Sequence, residues 1–376
     1  MLIIVQPRIP AYRLRLFQLV DEYTDEHVRV FAGGNVGGST WEPNLGSELR
    51  FEKAECVGNS SRIVWQDPSQ IISHLNEDNV LMINGNPRYL SNLYLMAKAR
   101  RKGVPVVWWG HGWTAGASRV TAGLRRQIMR YADSWLLYTE DERVTYVHQF
   151  GFPEDRTHAL GNSLDDEAIH RMRGRSTDSR DWFWAERKWC DDILFCGRIN
   201  AKARVELLVK AVYALKASGK TRVRAKIIGD GQHLSSLQEL AERLGVADWI
   251  SWLGPIFDEE ALAKHFLNAS VFVYPGAVGL SAIHAMHYGL PVVTHDQERD
   301  QMPEAAAVRH RETGIRFGAG DYTDLAAKLE GVLADREMLQ KLSSSALSLV
   351  RAKHSVRLAA QELIGAAASA RLHKGL

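Results

Sequence analysis

Residues 273–294 read Val273-Tyr274-Pro275-Gly276-Ala277-Val278-Gly279-Leu280-Ser281-Ala282-Ile283-His284-Ala285-Met286-His287-Tyr288-Gly289-Leu290-Pro291-Val292-Val293-Thr294. An apolar, β-branched run ends at Pro275. A glycine-rich turn follows, a helical pattern begins near Gly279, and Gly289 and Pro291 stop it before a second β-branched run. Strand, turn, helix and strand, with both strands mainly apolar, make a βαβ unit of a parallel sheet whose strands are buried on both faces. The turn lies at the carboxyl end of the first strand. A helix starting at Gly279 and Leu280 presents unpaired N–H groups and the positive end of its dipole there, which suits an anion. His284 falls little more than one turn into this helix. On its own it carries little weight, because a lone helical histidine is usually structural.

The same alternation extends in both directions. Upstream in this half, strands are expected at Ile193–Cys196, Ala225–Ile228, Ile250–Trp252 and Val271–Tyr274, with Val292–Thr294 following, separated by amphipathic helices. The first half repeats the scheme with strands at Leu2–Val5, Val28–Ala32, Leu49–Glu52, Val80–Asn84, Val104–Trp109 and Trp135–Tyr138, and with helices at Leu14–Glu22, Tyr89–Arg101 and Leu124–Tyr131. Asn86 and Pro87 read as a helix start, and Lys102-Gly103 as its stop. Between the two series, residues 171–192 are charged and aromatic but not periodic and read as a linker. The division expected is an N-terminal Rossmann-like domain over 1–170, the linker, a second such domain over 193–355, and a C-terminal helix over 356–376 packing back on the first. Two doubly wound domains facing across a cleft put the site between them.

Two more turns in the second half carry chemistry. Phe195-Cys196-Gly197-Arg198-Ile199-Asn200-Ala201-Lys202-Ala203-Arg204 ends a strand and opens a helix, with three cations in the loop. Cations at the carboxyl end of such a strand suit a diphosphate. Ile227-Ile228-Gly229-Asp230-Gly231-Gln232 is a tight strand-to-helix turn that lacks the third glycine of a dinucleotide fingerprint, which argues against a dehydrogenase. In the first half, Trp108-Trp109-Gly110-His111-Gly112-Trp113 ends a strand and leaves His111 uncrowded between glycines, a position for catalysis or hydroxyl binding.

Taken in order, these motifs are similar to those of glycosyltransferase family four, retaining enzymes of the GT-B fold, over residues 190–350. The glycine-arginine with following cations, Ile228-Gly229-Asp230-Gly231, Trp252-Leu253-Gly254 and the run from Pro275 through Val293 all fall in the family's sequence. The first half is a looser match. Its Gln6-Pro7-Arg8-Ile9-Pro10-Ala11-Tyr12-Arg13 and Trp109-Gly110-His111-Gly112 look like members that build bacterial surface polysaccharides. Where the family carries two glutamates eight positions apart, this chain has Gly276 and His284. The resemblance implies transfer of a sugar from a nucleotide-diphosphate sugar, with retention, to a glycan or lipid-linked acceptor. Arg198 with Lys202 or Arg204 would meet the departing diphosphate, since the family's lysine falls on Ala203 when counted position by position. His111 would contact the reacting region and Arg13 the substrate. Gly229, Asp230, Gly231, Leu253 and Gly254 would frame the base. Gly276 would act through its amide or face a sugar lacking a hydroxyl. His284 would take a ribose hydroxyl or a phosphate oxygen. Glu304 either lines the same site or is a surface acid. No cofactor beyond the donor is implied, and no Asp-x-Asp triplet is present to hold a metal. A nucleotide-sugar epimerase of the same fold, and a non-catalytic nucleotide-binding or scaffold subunit, are the competing readings.

Composition adds the setting. The 376 residues are 45% hydrophobic and 24% charged, which excludes disordered and disulfide-scaffold classes. Three cysteines without metal spacing fit a reducing cytosol. The start has no basic n-region, and no run approaches the roughly 20 apolar residues of a membrane span. The net charge is only +3, yet residues 98–130 hold Lys98, Arg100, Arg101, Lys102, Arg119, Arg125, Arg126 and Arg130 and no acid. Trp108, Trp109, Trp113, Leu124, Ile128 and Met129 are interleaved with them, so the segment suits an anionic bilayer, each cation near it being worth about 1 kcal/mol. The expectation is a cytoplasmic protein, peripheral on the inner face of the membrane. Nucleic acid, the rival partner, has no recognition motif in the chain.

Overall fold

A computed structural model describes residues 1–33, 50–54, 56–59, 63–112, 119–174, 192–219 and 223–375. They form two compact units, Met1–Asp165 with Ser355–Leu376, and Asp166–His354.

In the first unit the strands are β1 (Leu2–Gln6), β2 (Val28–Ala32), β3 (Arg50–Lys53), β4 (Cys56–Asn59), β5 (Ile63–Gln66), β6 (Val80–Asn84), β7 (Val106–Trp109), β8 (Ser134–Leu137) and β9 (Thr157–Ala159). Seven of them make a parallel sheet in the order β3-β2-β1-β6-β7-β8-β9, and β4 and β5 pair antiparallel beside it. All residues of β1, β7 and β8 are buried, the pattern that cover on both faces requires. One face is covered by helix α1 (Leu14–Tyr23) and by the C-terminal helix Val356–Lys374. That last helix sets Ala359, Ala360, Leu363, Ala366 and Ala367 into the same core as Leu16, Phe17, Val20 and Trp109. Its alanine face lets two helices and the sheet approach closely.

Three sequence expectations change in this unit. After the short helix α2 (Ser69–Ser73), helix α3 (Leu90–Arg101) begins at Leu90, not at Asn86-Pro87: Tyr89 has ψ +87 and bridges to Val64, so Asn86 instead caps a turn by accepting from the Arg88 N–H at 3.1 Å. Helix α5 (Glu140–Phe150) was not foreseen. Trp108, Trp109 and Met129 are core residues, not part of an amphipathic surface. Gly103 does end α3, at φ +72.

The second unit opens with helix α6 (Asp166–Gly174), so Arg171–Gly174 are helical where a linker was expected; residues 175–191 lie outside the described residues. Its strands are β10 (Asp192–Cys196), β11 (Arg224–Ile228), β12 (Ile250–Gly254), β13 (Val271–Val273), β14 (Val292–His295) and β15 (Gly314–Phe317), all parallel, in the order β12-β11-β10-β13-β14-β15. Numbered within the unit this is 3-2-1-4-5-6, the Rossmann order. The direction of winding reverses between β10 and β13, and ligands of such sheets bind outside the carboxyl ends of the strands at that point. Helices α7 (Val205–Ala217), α8 (Leu234–Arg243), α9 (Glu259–Asn268), α10 (Leu280–His287), α11 (Tyr322–Ala334) and α12 (Arg336–Lys353) connect and cover the sheet.

Candidate functional site

At the carboxyl ends of β10, β11 and β13, three loops pack backbone against backbone. The Gly197 N–H donates to the Ile228 carbonyl at 3.0 Å, Ile199 N–H to Asp230 at 2.9 Å, and Ala277 N–H to Lys202 at 3.0 Å. Glycine is required at each meeting. A Cβ on Gly229 (φ +141) would stand 1.9 Å from the Gly197 oxygen, one on Gly231 2.1 Å from the Ile199 oxygen, and one on Gly276 1.8 Å from the Lys202 oxygen. Gly276 therefore does more than lack a glutamate side chain: the Lys202 carbonyl occupies the space where one would begin.

This packing fixes the cationic loop. Ala203 is fully buried, so the position that aligns with the family's lysine points into the core. Arg204, in the left-handed region at φ +53, pairs through Nε with Glu206 Oε1 at 2.5 Å. Arg198 and Lys202 are exposed, and neither has an ion-pair partner among the described residues. Of the two candidates for the second cation, Lys202 is the one left available.

The helix start at the switch point matches the expectation: Gly279 is the N-cap of α10 and Leu280 its first residue. Behind it the Val278 N–H donates to Gln301 Oε1 at 2.9 Å. Glu304 is not a surface acid. It is buried in the short 3-10 helix Pro303–Ala307, with Oε2 3.7 Å from where a Gly279 Cβ would lie, so a protein carboxylate flanks this helix start on one side. Asp230 is exposed and accepts from the Gly231 N–H at 2.7 Å; Leu253 is exposed, and Gly254 (φ +71) accepts from the Gly229 N–H at 2.9 Å.

His284 is engaged within the protein. Its Nε2 donates to Glu259 Oε1 at 2.9 Å, and the Tyr288 hydroxyl donates to the same oxygen at 2.5 Å, with the Phe266 ring 4.6 Å from the imidazole. Burial pushes the Glu259 carboxyl up, but the bonds from His284 and Tyr288 outweigh it and hold the group below its usual value. Glu259 begins α9, at the same edge of the sheet as the loops above. The thiol of Cys196, the last residue of β10, is pushed up to about 12 by burial and by the nearby Glu259 charge. The sequence offered no sign of this residue beyond an acid in the first turn of a helix capped by Asp258.

The first unit has its own polar cluster beyond β7 and β8. His111 lies 4.1 Å from the Tyr138 ring, centroid to centroid, and its Nδ1 is 3.9 Å from Glu142 Oε1. Burial, then Arg125 and Arg13, push its pKa down to about 4, so it is neutral at physiological pH. Glu142 is held by the N–H groups of Gly112 at 3.0 Å and Tyr138 at 3.1 Å. Arg13 is buried over the Trp109 ring and donates to the Tyr138 hydroxyl and to Asn162 Oδ1, both at 3.3 Å. The basic segment is less free than its sequence suggests. Arg100 donates to the Tyr131 carbonyl, Lys102 to Ile72 and Leu75, and Arg130 to Phe150, while Arg126 stacks on the Phe150 ring. Helix α4 (Arg119–Met129) still exposes Val120 and Leu124; Trp113 lies outside the described residues. No helix among the described residues is long and apolar enough to cross a membrane.

Two parallel α/β units of this kind define the GT-B fold, and solved structures agree along nearly the whole chain. Anabaena HepE in complex with UDP superposes with a TM-score of 0.67 at 14% identity, over 96% of this chain and 98% of that one. Sucrose-phosphate synthase of Thermosynechococcus elongatus gives 0.67 at 17% identity, over 96% of each. Residues 178–348, which take in most of the second unit, match the family model "Glycosyl transferases group 1". Among curated relatives, D-inositol 3-phosphate glycosyltransferase of Geodermatophilus obscurus is 30% identical over 231 residues, 57% of this chain and 48% of that protein. Alpha-D-kanosaminyltransferase of Streptomyces kanamyceticus is 25% identical over 246 residues, 64% and 61%. The chain thus spans about half to three-fifths of the length of these relatives.

Proposed function

We propose that the protein transfers a sugar from a nucleotide-diphosphate sugar to a hydroxyl of a glycan or lipid-linked acceptor, with retention at the anomeric carbon, in the assembly of a surface polysaccharide. The observation that carries this reading is the pair of unpartnered cations, Arg198 and Lys202, on a loop locked by glycine contacts at the switch point of the second sheet. As the bond to the sugar breaks, negative charge grows on the diphosphate. Arg198, Lys202 and the first N–H groups of α10 meet that charge without reorganising. The loop and turn around Gly229–Gly231 and Leu253–Gly254 frame the base.

Glu259 takes the part of the missing second glutamate. Both of its hydrogen bonds from the protein fall on Oε1, so its carboxylate is oriented by His284 and Tyr288 and accepts from the ribose hydroxyls through the other oxygen. His284 is then a positioning residue rather than a ligand. In the first unit, neutral His111 with Arg13 and Tyr138 supplies hydroxyl-binding groups. The reading asks for no cofactor besides the donor. Solved structures of one similar protein, Anabaena HepE, are described with UDP and with UDP-glucose, which favours this donor class here. Peripheral membrane contact rests on α4, where Leu124 and Val120 are exposed among cations.

The deciding measurement is a thermal-shift panel of nucleoside diphosphates followed by nucleotide release from a set of sugar donors. The expected result is stabilisation by one nucleoside diphosphate and donor-dependent release that Arg198→Ala abolishes. Failure of every nucleoside diphosphate to bind would remove the basis of the proposal. Binding without release from any donor and acceptor tested would leave a scaffold protein instead.

A further inference from the structure

One turn beyond His284, the same helix contributes to a different cluster. His287, the last residue of α10, is completely buried. Its Nε2 lies 3.3 Å from the His354 carbonyl oxygen. A carbonyl only accepts, so the proton is on Nε2 and Nδ1 is bare. That Nδ1 is itself buried and has no hydrogen-bond partner among the described residues. A buried lone pair without a donor costs about 1–3 kcal/mol unless something fills it. Facing it from α6 is His170, whose ring centroid is 5.8 Å away and whose Nε2 is likewise buried without a partner. Asp166, one turn earlier on α6 and buried, brings a carboxylate oxygen to 4.0 Å from His170 Nδ1.

One donor atom from each of Asp166, His170 and His287 lies within 4.8 Å of the others. Four-coordinate zinc holds nitrogen and oxygen donors at about 2.0–2.2 Å, hence about 3.3 Å from each other. Small side-chain rotations close that gap. Two imidazoles and a carboxylate are a donor set for a first-row divalent cation, and an imidazole that gives its other N–H to a backbone carbonyl is oriented as metal ligands are. The charges around His170 are Arg173 and Arg351 against Asp166 and Glu167, so the pocket has no net positive charge to repel a cation.

From this geometry we infer that Asp166, His170 and His287 form a divalent-cation site, with zinc the fitting ion, that ties α6 to α10. The three residues come from two helices of one unit. Its donor residues are neither in the Arg198 loop nor Glu259, so the ion would act as a structural tie and the inference does not rest on the donor reading above.

The test uses the full chain without a polyhistidine tag, equilibrated with zinc and desalted, with metal measured by inductively coupled plasma mass spectrometry. About one zinc per chain is expected. His170→Asn, His287→Asn and Asp166→Asn should each lower retention at least tenfold, whereas His373→Ala, at an exposed C-terminal position, should leave it unchanged. His287 is fully buried and its variant can fail to fold, so His170→Asn, whose side chain is half-buried, is the decisive variant, with circular dichroism as its control. A chelator should lower the melting temperature of the unsubstituted chain and not that of His170→Asn. Retention below a tenth of an equivalent by the unsubstituted chain would overturn the inference, as would full retention by folded His170→Asn.

Discussion

Restoring the family's glutamate at Gly276 should damage this protein rather than improve it. A Cβ at this position would sit 1.8 Å from the Lys202 carbonyl oxygen and 2.7 Å from the Ala203 carbonyl carbon, where real Cβ contacts do not fall below 3.0 Å. Backbone must therefore move by at least about 1.2 Å, and neither side is the end of a flexible side chain. The Ala277 N–H bond to Lys202, at 3.0 Å, is lost or stretched in the process. Overpacking of this kind costs about 1–3 kcal/mol, equivalent to a fall in melting temperature of about 2–12 °C for a unit of this size. The functional cost is larger, because the segment displaced carries Lys202. Misplacing a catalytic group by about 1 Å lowers turnover by on the order of a hundredfold. Gly276→Ala and Gly276→Glu, measured by differential scanning fluorimetry and by donor turnover, should both show the loss of stability and of rate. Gly276→Ala separates the steric effect from any effect of the new charge. Wild-type melting and wild-type turnover in Gly276→Ala would refute the argument that the Lys202 loop is locked against this glycine.

Other expectations follow from the same geometry. Arg198→Ala and Lys202→Ala should each lower turnover by about a hundredfold or more with the fold intact, while Arg204→Ala, whose guanidinium is already paired with Glu206, should cost far less; equal losses for Lys202 and Arg204 would reverse their roles. Glu259→Gln should weaken binding of a nucleoside diphosphate, and His284→Ala should weaken it too but less, in isothermal titration; indifference of binding to Glu259→Gln would remove it from ribose recognition. For His111, the folded pKa of about 4 lies below the usual 6.5, so the unfolded chain takes up a proton that the folded chain refuses. Its contribution to stability is full above about pH 6.5 and declines as pH falls towards 4. The imidazole Cε1 proton should titrate near pH 4 by NMR, and a midpoint near 6.5 would show the burial argument to be wrong. Leu124→Glu should reduce co-sedimentation with anionic vesicles; unchanged sedimentation would exclude α4 as the membrane contact.

How much of this was readable in one dimension depends on what each residue contacts. Strands with apolar, β-branched runs such as Val271–Val273 and Val292–Val293 announce themselves because both their faces are buried, and the order of strands and helices follows. Helix α5 escaped because Glu140–Phe150 is polar around most of its circumference and buries only Glu142 and Tyr146. A signal was present: Thr139 caps it by accepting from the Glu142 N–H at 3.2 Å, the Thr-x-x-Glu spacing of a capping box. In the site, the glycines and the cationic loop were legible because turn chemistry is local. The Glu259–His284 pair was not, since it joins residues 25 apart from different helices, and only packing reveals which histidine nitrogen is already in use.

The helix Val356–Lys374 belongs to the core of the first unit although 189 residues of the second unit precede it in the chain. A ribosome completes residues 1–165 long before it makes the segment that covers Leu16, Phe17 and Val20. During that interval α1 alone covers this face of the first sheet and the rest of it stays exposed, a point at which aggregation or chaperone binding competes with folding. Completion of the first domain therefore waits until the whole second domain has been synthesised. A fragment ending at Asp165 should be poorly soluble by itself, and adding the 356–374 peptide in trans should rescue it.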